Sequence, residues 1–367
     1  MSLKTSFTEK FRFFEKLSFT KRKKKSPVGL YIGSSSVKAV KLNPVRNSLY
    51  ELVSYGFEEL PPDCFANGSI VSPEPITDAI YSIFSNPHLK SDDIVTSISG
   101  QSVIVRKVSI HVQNDEDLAN AVKWEAEQHL PFDINDVNFD FQVVDKTDDA
   151  DMVEVLFVAA KKDVIQSYID VFNQAEKNLL ALDVDAFALL NAYEFNYKPD
   201  DEKVAALLNI GANSTTITLV SGTDFLFTRD IGLGGQKYTE FLQKEFDLSY
   251  DEADMLKQGE MIADVSLAEV QDVINSVTEI ICMEILKTFD YFKSTSSVNK
   301  IDRILVSGGA AHTPGLLDAL DSNFDIPTEE FDSFKRIYVD ETQFPMIREQ
   351  AADMAIAVGL ALRSSEG

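Results

Sequence analysis

Cysteine is almost absent from this chain of 367 residues, in which only Cys64 and Cys282 occur. Their wide separation gives no metal-type spacing, and two such residues suit a reducing compartment better than a disulfide framework. The four histidines form no HxxxH or HExxH pattern, so the sequence gives little support to a metalloenzyme. No run of 18 apolar residues occurs, and the N-terminus lacks the apolar centre of a signal peptide. We therefore predict neither a transmembrane helix nor a signal peptide.

Positive charge is scarce outside the N-terminus. The first 25 residues carry nine Lys or Arg and two Glu, a net charge of +7, which leaves −32 for the rest of a chain whose total is −25. A strongly acidic body argues against nucleic acid as a main partner. The length and the 44% hydrophobic content suffice for two domains, or for one large bilobal fold.

The N-terminal segment (residues 1–26) combines this basic charge with aromatic residues. Phe7, Phe11, Phe14 and Leu17 recur at helical spacing, and a basic run follows at residues 21–25. Such a segment could lie as an amphipathic helix on an anionic membrane surface, through residues 1–25. It could equally be a solvated tail, and the sequence leaves both alternatives open.

A strand–turn–strand pattern occurs twice. VGLYIGSSSVKAVKL (28–42) and ALLNIGANSTTITLV (206–220) share an isoleucine, a glycine and a serine at one offset of 178 residues. This match predicts an internal duplication of a glycine-turn hairpin. Turns of small residues direct backbone N–H groups at one point and can bind a phosphate, although a plain hairpin fits the first segment alone.

Between the hairpins, the periodicity predicts a helix over 118–130, strands over 137–144 and 153–159, and a helix over 163–177. This αββα unit has the character of an inserted subdomain. After the second hairpin, glycines precede a helix from Gln236, and a strand over 303–307 ends in two further glycines. A small-residue helix over 351–362, with Gly359 for close packing, ends the pattern.

These segments together resemble one family. The chain resembles the PilM family of the actin-like ATPase superfamily, which is related to FtsA. Six stretches carry this resemblance: 28–42, 124–132 (WEAEQHLPF), 209–220, 227–242 (FTRDIGLGGQKYTEFL), 304–316 (ILVSGGAAHTPGL) and 355–363 (AIAVGLALR). The resemblance implies an α/β, bilobal actin-like fold with a duplicated ribonuclease-H-like core and the inserted αββα subdomain.

The resemblance also implies a domain division. The first lobe would comprise residues 27–106, 179–202 and 346–367, the inserted subdomain residues 107–178, and the second lobe residues 203–345.

The same resemblance implies a nucleotide site between similar lobes. ATP would contact five groups of residues: the first turn, the second turn, the glycines before the helix at Gln236, an acid–base pair, and the residues after the 303–307 strand. These residues are Gly33, Ser34, Ser35, Ser36 and Lys38; Gly211, Ala212, Asn213, Ser214 and Thr215; Gly234 and Gly235; Asp254 and Lys257; and Gly308, Gly309 and Ala310.

Two positions depart from the family pattern. The family has aspartates before each Ile-Gly, where this chain has Tyr31 and Asn209. A phenol and an amide replace the carboxylates that hold the water shell of Mg²⁺. Phosphoryl transfer depends on that charge and positioning. We therefore expect a degenerate site that hydrolyses ATP poorly and has lost much of its Mg²⁺ binding, although Asp230 lies nearby in the sequence.

By resemblance, the function would be that of a scaffold in type IV pilus assembly. It would bind the N-terminal cytoplasmic peptide of PilN, contact other platform and motor proteins, self-associate, and lie in the cytoplasm at the inner face of the inner membrane. The alternatives are a slow actin-like ATPase or sugar kinase, and a division or secretion scaffold similar to FtsA or to cytoplasmic GspL.

Overall fold

The computed structural model describes residues 26–363, except for positions 46–48, 67, 92, 112–117, 147–151, 263–264, 297 and 299. The N-terminal segment, with both of its predicted alternatives, therefore lies almost wholly outside the described residues. The described chain separates into two compact units. The first unit contains the residues up to Ala192, Leu226–Thr228 and the residues from Ile356, and the second contains Tyr193–Phe225 and Arg229–Ala355.

Strands and helices alternate along the chain, which confirms the predicted α/β class. The strands are β1 (Val28–Ile32), β2 (Ser36–Val45), β3 (Leu49–Glu59), β4 (Phe65–Ala66), β5 (Ser69–Ile70), β6 (Asp93–Ile98), β7 (Val103–His111), β8 (Val137–Lys146), β9 (Met152–Lys161), β10 (Asn178–Val184), β11 (Val204–Ile210), β12 (Thr215–Ser221), β13 (Asp224–Ile231), β14 (Arg303–Ser307), β15 (Thr328–Glu330) and β16 (Ile337–Tyr338). The helices are α1 (Pro73–Ser85), α2 (Leu118–His129), α3 (Lys162–Gln174), α4 (Asp185–Tyr197), α5 (Gln236–Phe246), α6 (Tyr250–Lys257), α7 (Leu267–Thr295), α8 (Leu316–Phe324) and α9 (Ala355–Leu362).

The main sheet of the first unit contains the predicted hairpin. Its strands run in the order β10–β6–β1–β2–β3, with β1 antiparallel to β2 and parallel to β6. Val28, Leu30 and Ile32 on one face of β1 are buried, as the period of two in a strand requires. The opposite face carries Gly29 and Tyr31, so the side chains before the glycine turn alternate between two environments.

Helix α9 packs closely on this sheet. A Cβ on Gly29 would lie 2.3 Å from the carbonyl oxygen of Ala357, and a Cβ on Gly359 would lie 1.7 Å from that of Ala188 in α4. The predicted close packing of the closing helix is therefore confirmed at Gly359. The helix begins at Ala355 rather than at Ala351, because residues 351–354 form turns.

The inserted subdomain contains a sheet of its own, in the order β7–β9–β8. Val122 and Ala126 of α2 pack on Val155 and Phe157 of β9, which joins the predicted helix and strands in one core. The sheet includes β7, which the predicted αββα unit lacked. The domain boundary at residue 107 falls within β7 and stays a prediction.

The sheet of the second unit runs in the order β13–β12–β11–β14–β15. Here β11 and β12 form the second predicted hairpin, and β11 is parallel to β14. Helices α5, α6 and α7 pack together. The hydroxyl groups of Tyr238 on α5 and Thr278 on α7 are hydrogen-bonded at 2.9 Å in this buried interface. Burial raises the pKa of Tyr238 to about 12.

Candidate functional site

The same turn closes both hairpins. In the first, the N–H of Gly33 donates to the carbonyl oxygen of Ser36 at 2.9 Å; in the second, the N–H of Gly211 donates to that of Ser214 at 2.9 Å. These donors and acceptors are the residues that match at the offset of 178. The sequence repeat is thus a repeat of backbone geometry, with an equivalent turn in each unit.

An aromatic ring covers the start of the first turn. Tyr31 faces Lys38 across the β1–β2 ladder, and its ring carbon Cε1 lies 3.3 Å from where a Cβ of Gly33 would be. The ring also packs against the buried cluster of Val95, Ala188, Ile356 and Leu360. Position 31 therefore contributes apolar packing where the resemblance implies a carboxylate.

Lys38 lies on β2, two residues after Ser36 of the first turn. Its side chain is only 6% exposed, and Nζ lies 5.8 Å from the centroid of the Phe57 ring. An ammonium group is rarely buried to this extent, and the contact with the Phe57 ring is one interaction that stabilises it.

The second turn has a different pair at the equivalent positions. Asn209 faces Thr216 across the β11–β12 ladder, as Tyr31 faces Lys38. The Asn209 side chain is buried and its Oδ1 accepts a hydrogen bond of 3.4 Å from Ser307 Oγ. The hydroxyl of Thr216 donates to Asp230 Oδ1 at 2.6 Å. A carboxylate on the neighbouring strand β13 is thus hydrogen-bonded to the residue that pairs with Asn209.

The start of α5 is attached to the second turn. The N–H groups of Gly235 and Gln236 donate to the carbonyl oxygens of Gly211 and Ala212, both at 2.8 Å. A Cβ on Gly234 would lie 2.4 Å from the Gly211 oxygen, so only glycine fits there. We expected this helix start to offer N–H groups to an anion or to be a plain loop. Two of those N–H groups in fact hold the turn.

The glycines after β14 lie against the same turn. Gly308 has φ +88°, and a Cβ there would lie 2.5 Å from the carbonyl oxygen of Ile210 and 2.9 Å from Asn209 Oδ1. The segment Gly308–Ala310 is held by a hydrogen bond of 3.0 Å from the Gly308 N–H to the Ala352 oxygen. The second unit thus brings together three of its predicted groups, at 211–215, 234–235 and 308–310.

The acid–base pair on α6 is satisfied within the protein. Asp254 and Lys257 form an ion pair, and Lys257 Nζ also donates to Thr239 Oγ1 of α5 at 3.2 Å. Ser249 and Glu252 form a capping box at the start of this helix. The contacts shown for Asp254 and Lys257 fix α6 on α5, and their predicted place beside an adenosine stays a prediction.

These contacts allow a test of the implied ligands. The small residues in both turns fit a phosphate group. The Mg²⁺ position that the resemblance implies does not fit, because Tyr31 and Asn209 offer a ring and an amide in place of hard carboxylate oxygens. Within the described ranges, no group of three or more His, Cys, Asp or Glu could hold a metal ion.

The role of Thr216 is not predicted by the sequence patterns described above. Its signal was available, because Thr216 stands 178 residues after Lys38, at the same offset as the two glycine turns. The sequence shows Asp230 only as a residue near the second turn along the chain. Its hydrogen bond to Thr216 could not be predicted, because it depends on the pairing of β12 with β13.

Comparison with known proteins agrees with this geometry. The family model of type IV pilus assembly protein PilM matches residues 29–365. A solved structure described as a PilM–PilN type IV pilus biogenesis complex is 25% identical, covers 94% of this chain and 99% of that one, and has a TM-score of 0.83.

More distant structures share the fold. The ethanolamine utilization protein EutJ of Carboxydothermus hydrogenoformans is 13% identical, with coverage of 94% and 92% and a TM-score of 0.55. MreB5 of Spiroplasma citri bound to AMPPNP is 10% identical, with coverage of 92% and 95% and a TM-score of 0.53. Both support the predicted actin-like fold. Of the helices in the described part of the chain, none could span a membrane.

Proposed function

This chain belongs to the family of type IV pilus assembly protein PilM, and from that premise we propose that it is an actin-like scaffold that binds the N-terminal cytoplasmic peptide of PilN. The similarity to the solved PilM–PilN complex over 94% of the chain carries this proposal. The protein would link PilN to the motor and to other proteins of the inner-membrane platform. We propose a cytoplasmic location at the inner face of the inner membrane, with self-association in the assembled platform.

We place the peptide groove in the first unit, which contains both the main β10–β6–β1–β2–β3 sheet and the inserted β7–β9–β8 sheet. The inserted subdomain has an exposed aromatic residue on α2. Trp124 is 64% exposed, whereas Val122 and Ala126 of the same helix are buried. Tryptophan is enriched among the residues that dominate binding energy at interfaces.

A binding measurement tests this role. A labelled peptide with the N-terminal cytoplasmic sequence of PilN is titrated with the full chain, and its fluorescence anisotropy is followed with and without ATP. We expect saturable binding, and no binding to a peptide of the same composition in scrambled order. Absence of saturation under every nucleotide condition would contradict the proposal.

We propose further that the two glycine turns bind ATP phosphate without efficient hydrolysis. The small residues of both turns support phosphate binding, and the residues at positions 31 and 209 argue against metal-assisted transfer. The variant Tyr31→Asp with Asn209→Asp is expected to gain Mg²⁺-dependent ATP binding over the natural chain, measured by calorimetry with and without Mg²⁺.

A slow ATPase is the second candidate, which the Asp230 carboxylate favours because it accepts a hydrogen bond from Thr216, the residue paired with Asn209. Steady phosphate release decides between the two. Turnover by the natural chain above about 1 per minute, against about 10 per second for typical enzymes, would support the ATPase and contradict the degenerate site.

A further inference from the structure

The 29-residue helix α7 has an exposed apolar patch on one face. The helix packs against α5, α6 and α8 of the second unit. Away from those contacts, Met283 and Leu286 are 53% and 44% exposed, and Ile280 is half-buried. Ile280, Met283 and Leu286 follow one another at a spacing of three residues, so their side chains are neighbours on one helix face. We call these three side chains the α7 patch.

Exposed charges border the α7 patch in a definite order. Glu279 lies four residues before Met283 and Lys287 lies four residues after it, and both are exposed. A separation of four residues places each of them beside Met283 on the helix surface. Lys287 forms an ion pair with Glu284 of its own helix, and its ammonium group has further N–H donors for a second carboxylate. The patch therefore has an anion at one end and a cation at the other.

This order is complementary to itself when it is reversed. If two α7 helices pack antiparallel about Met283, Glu279 of each copy lies at the level of Lys287 of the other. Ile280 then lies at the level of Leu286 by the same symmetry. Parallel packing would instead oppose Glu279 to Glu279 and Lys287 to Lys287, and like charges repel. We propose that the α7 patch binds the α7 patch of a second copy of this chain, in an antiparallel two-fold dimer.

The symmetry and the size of this contact set its character. A two-fold contact uses the same surface on both copies, so it closes at two chains and does not continue into a filament. Methionine is enriched at the centres of protein–protein interfaces, which suits Met283 on the two-fold axis. Three apolar side chains per copy make a small contact of the kind found in weak, reversible complexes. This dimer is the self-association proposed for the assembled platform, and the inference rests on that part of the proposed function.

Analytical ultracentrifugation of the full chain tests the contact. At concentrations up to about 0.5 mM, enough for a micromolar dissociation constant, we expect the natural chain to pass from monomer to dimer. Its average mass should rise from 40.9 kDa toward twice that value. Met283→Gln with Leu286→Gln should raise the dissociation constant about tenfold, because apolar burial is lost on both copies. Met346→Gln, 52% exposed in the same unit, is the matched control and should leave the dissociation constant unchanged.

Reversal of the bordering charges tests the antiparallel arrangement. Glu279→Lys opposes two cations in the dimer and Lys287→Glu opposes two anions, so each variant alone should be largely monomeric. An equimolar mixture of the two variants should form dimers again, because each copy then carries the charge that is opposite to its partner's. Glu245→Lys makes the same charge change at an exposed position on α5 and should have no effect. Circular dichroism verifies that each variant is folded.

The outcomes separate this contact from the scaffold function. A natural chain that stays monomeric throughout would overturn the proposal, as would dimers that survive Met283→Gln with Leu286→Gln. A mixture of the two charge variants that stays monomeric would also contradict it. The PilN peptide titration is repeated on the Met283→Gln, Leu286→Gln variant, which we expect to bind the peptide as the natural chain does. Loss of the dimer and failure of peptide binding are thus read from two different measurements.

Discussion

The two glycine turns have one backbone and two different surroundings. Each is closed by the same hydrogen bond at 2.9 Å, and each has a side-chain pair at equivalent positions of its ladder. In the first unit the pair is Tyr31 and Lys38, one packed in an apolar cluster and one a buried cation. In the second it is Asn209 and Thr216, both in a hydrogen-bonded polar network.

This difference shows how a duplicated element can keep its shape while its chemistry changes. The turn needs only glycine at its start and small residues after it, so the backbone tolerates many neighbours. The resemblance implies a carboxylate before each Ile-Gly for metal-assisted chemistry, and this chain has Tyr31 and Asn209 at those positions. The turns therefore keep a geometry that suits phosphate, while the positions before each Ile-Gly hold a phenol and an amide.

The largest expected effect concerns how the second turn is held. Gly234→Ala places a Cβ 2.4 Å from the Gly211 oxygen and 2.6 Å from the Ala212 oxygen, both backbone atoms. The start of α5 must move away, and we expect a loss of about 3 kcal/mol in the free energy of unfolding by urea. Gly232→Ala is the control, because nothing lies within 4 Å of its Cβ, and it should change stability by less than about 0.5 kcal/mol. Equal effects would show that the turn does not depend on α5.

The next effect concerns Tyr31 in the first unit. Tyr31→Asp removes a ring from the cluster of Val95, Ala188, Ile356 and Leu360 and puts a carboxylate beside it. We expect a loss of about 2 kcal/mol in urea unfolding, from lost burial and carboxylate desolvation. Tyr31→Phe keeps the ring and should retain most of the stability. A stable Tyr31→Asp variant would mean that the ring is not a packing element.

High pH should weaken the second unit through Tyr238. The folded state keeps this phenol protonated up to a pKa of about 12. An unfolded chain loses the proton near about pH 10, so the folded state holds more protons between these values and stability falls as pH rises. We expect Tyr238 to contribute a loss of about 1 kcal/mol between pH 9 and pH 11, measured by urea unfolding at each pH.

Tyr238→Phe serves as the control for this pH effect. It should lower stability at pH 8, because Thr278 loses its partner, and should reduce the slope of stability against pH. An unchanged slope would assign the alkaline sensitivity to other groups, such as Tyr168 of the first unit, whose pKa is also raised by burial.

The smallest expected effect concerns the polar pair of the second turn. Thr216→Val removes the donor to Asp230, and we expect a loss of about 0.5–1 kcal/mol because the carboxylate is partly exposed. Asp230→Asn and the double variant complete a mutant cycle that isolates the coupling. Additive effects of the two changes would mean that this hydrogen bond contributes nothing measurable.

Much of the fold could be predicted from local patterns. The alternation around Leu30 and the glycine at 33 specify a strand and a turn, and β14 lies at the residues that its apolar run predicted. The start of α9 was misplaced by four residues, since the small residues at 351–354 are helix-compatible and only the packing there makes them turns. The joining of β7 to β9 was missed because sequence patterns do not specify which strands pair.

The sequence by itself determined the chemistry offered at each position: a duplicated glycine turn, a phenol and an amide in place of two carboxylates, and an acidic body with a basic N-terminal segment. Only the tertiary structure decided what those groups contact. It placed the Tyr31 ring in an apolar cluster, used the N–H groups at the start of α5 to hold the second turn, and brought Asp230 to Thr216. The physical reason is that residue types are local, whereas burial and hydrogen-bond partners depend on segments far apart in the chain.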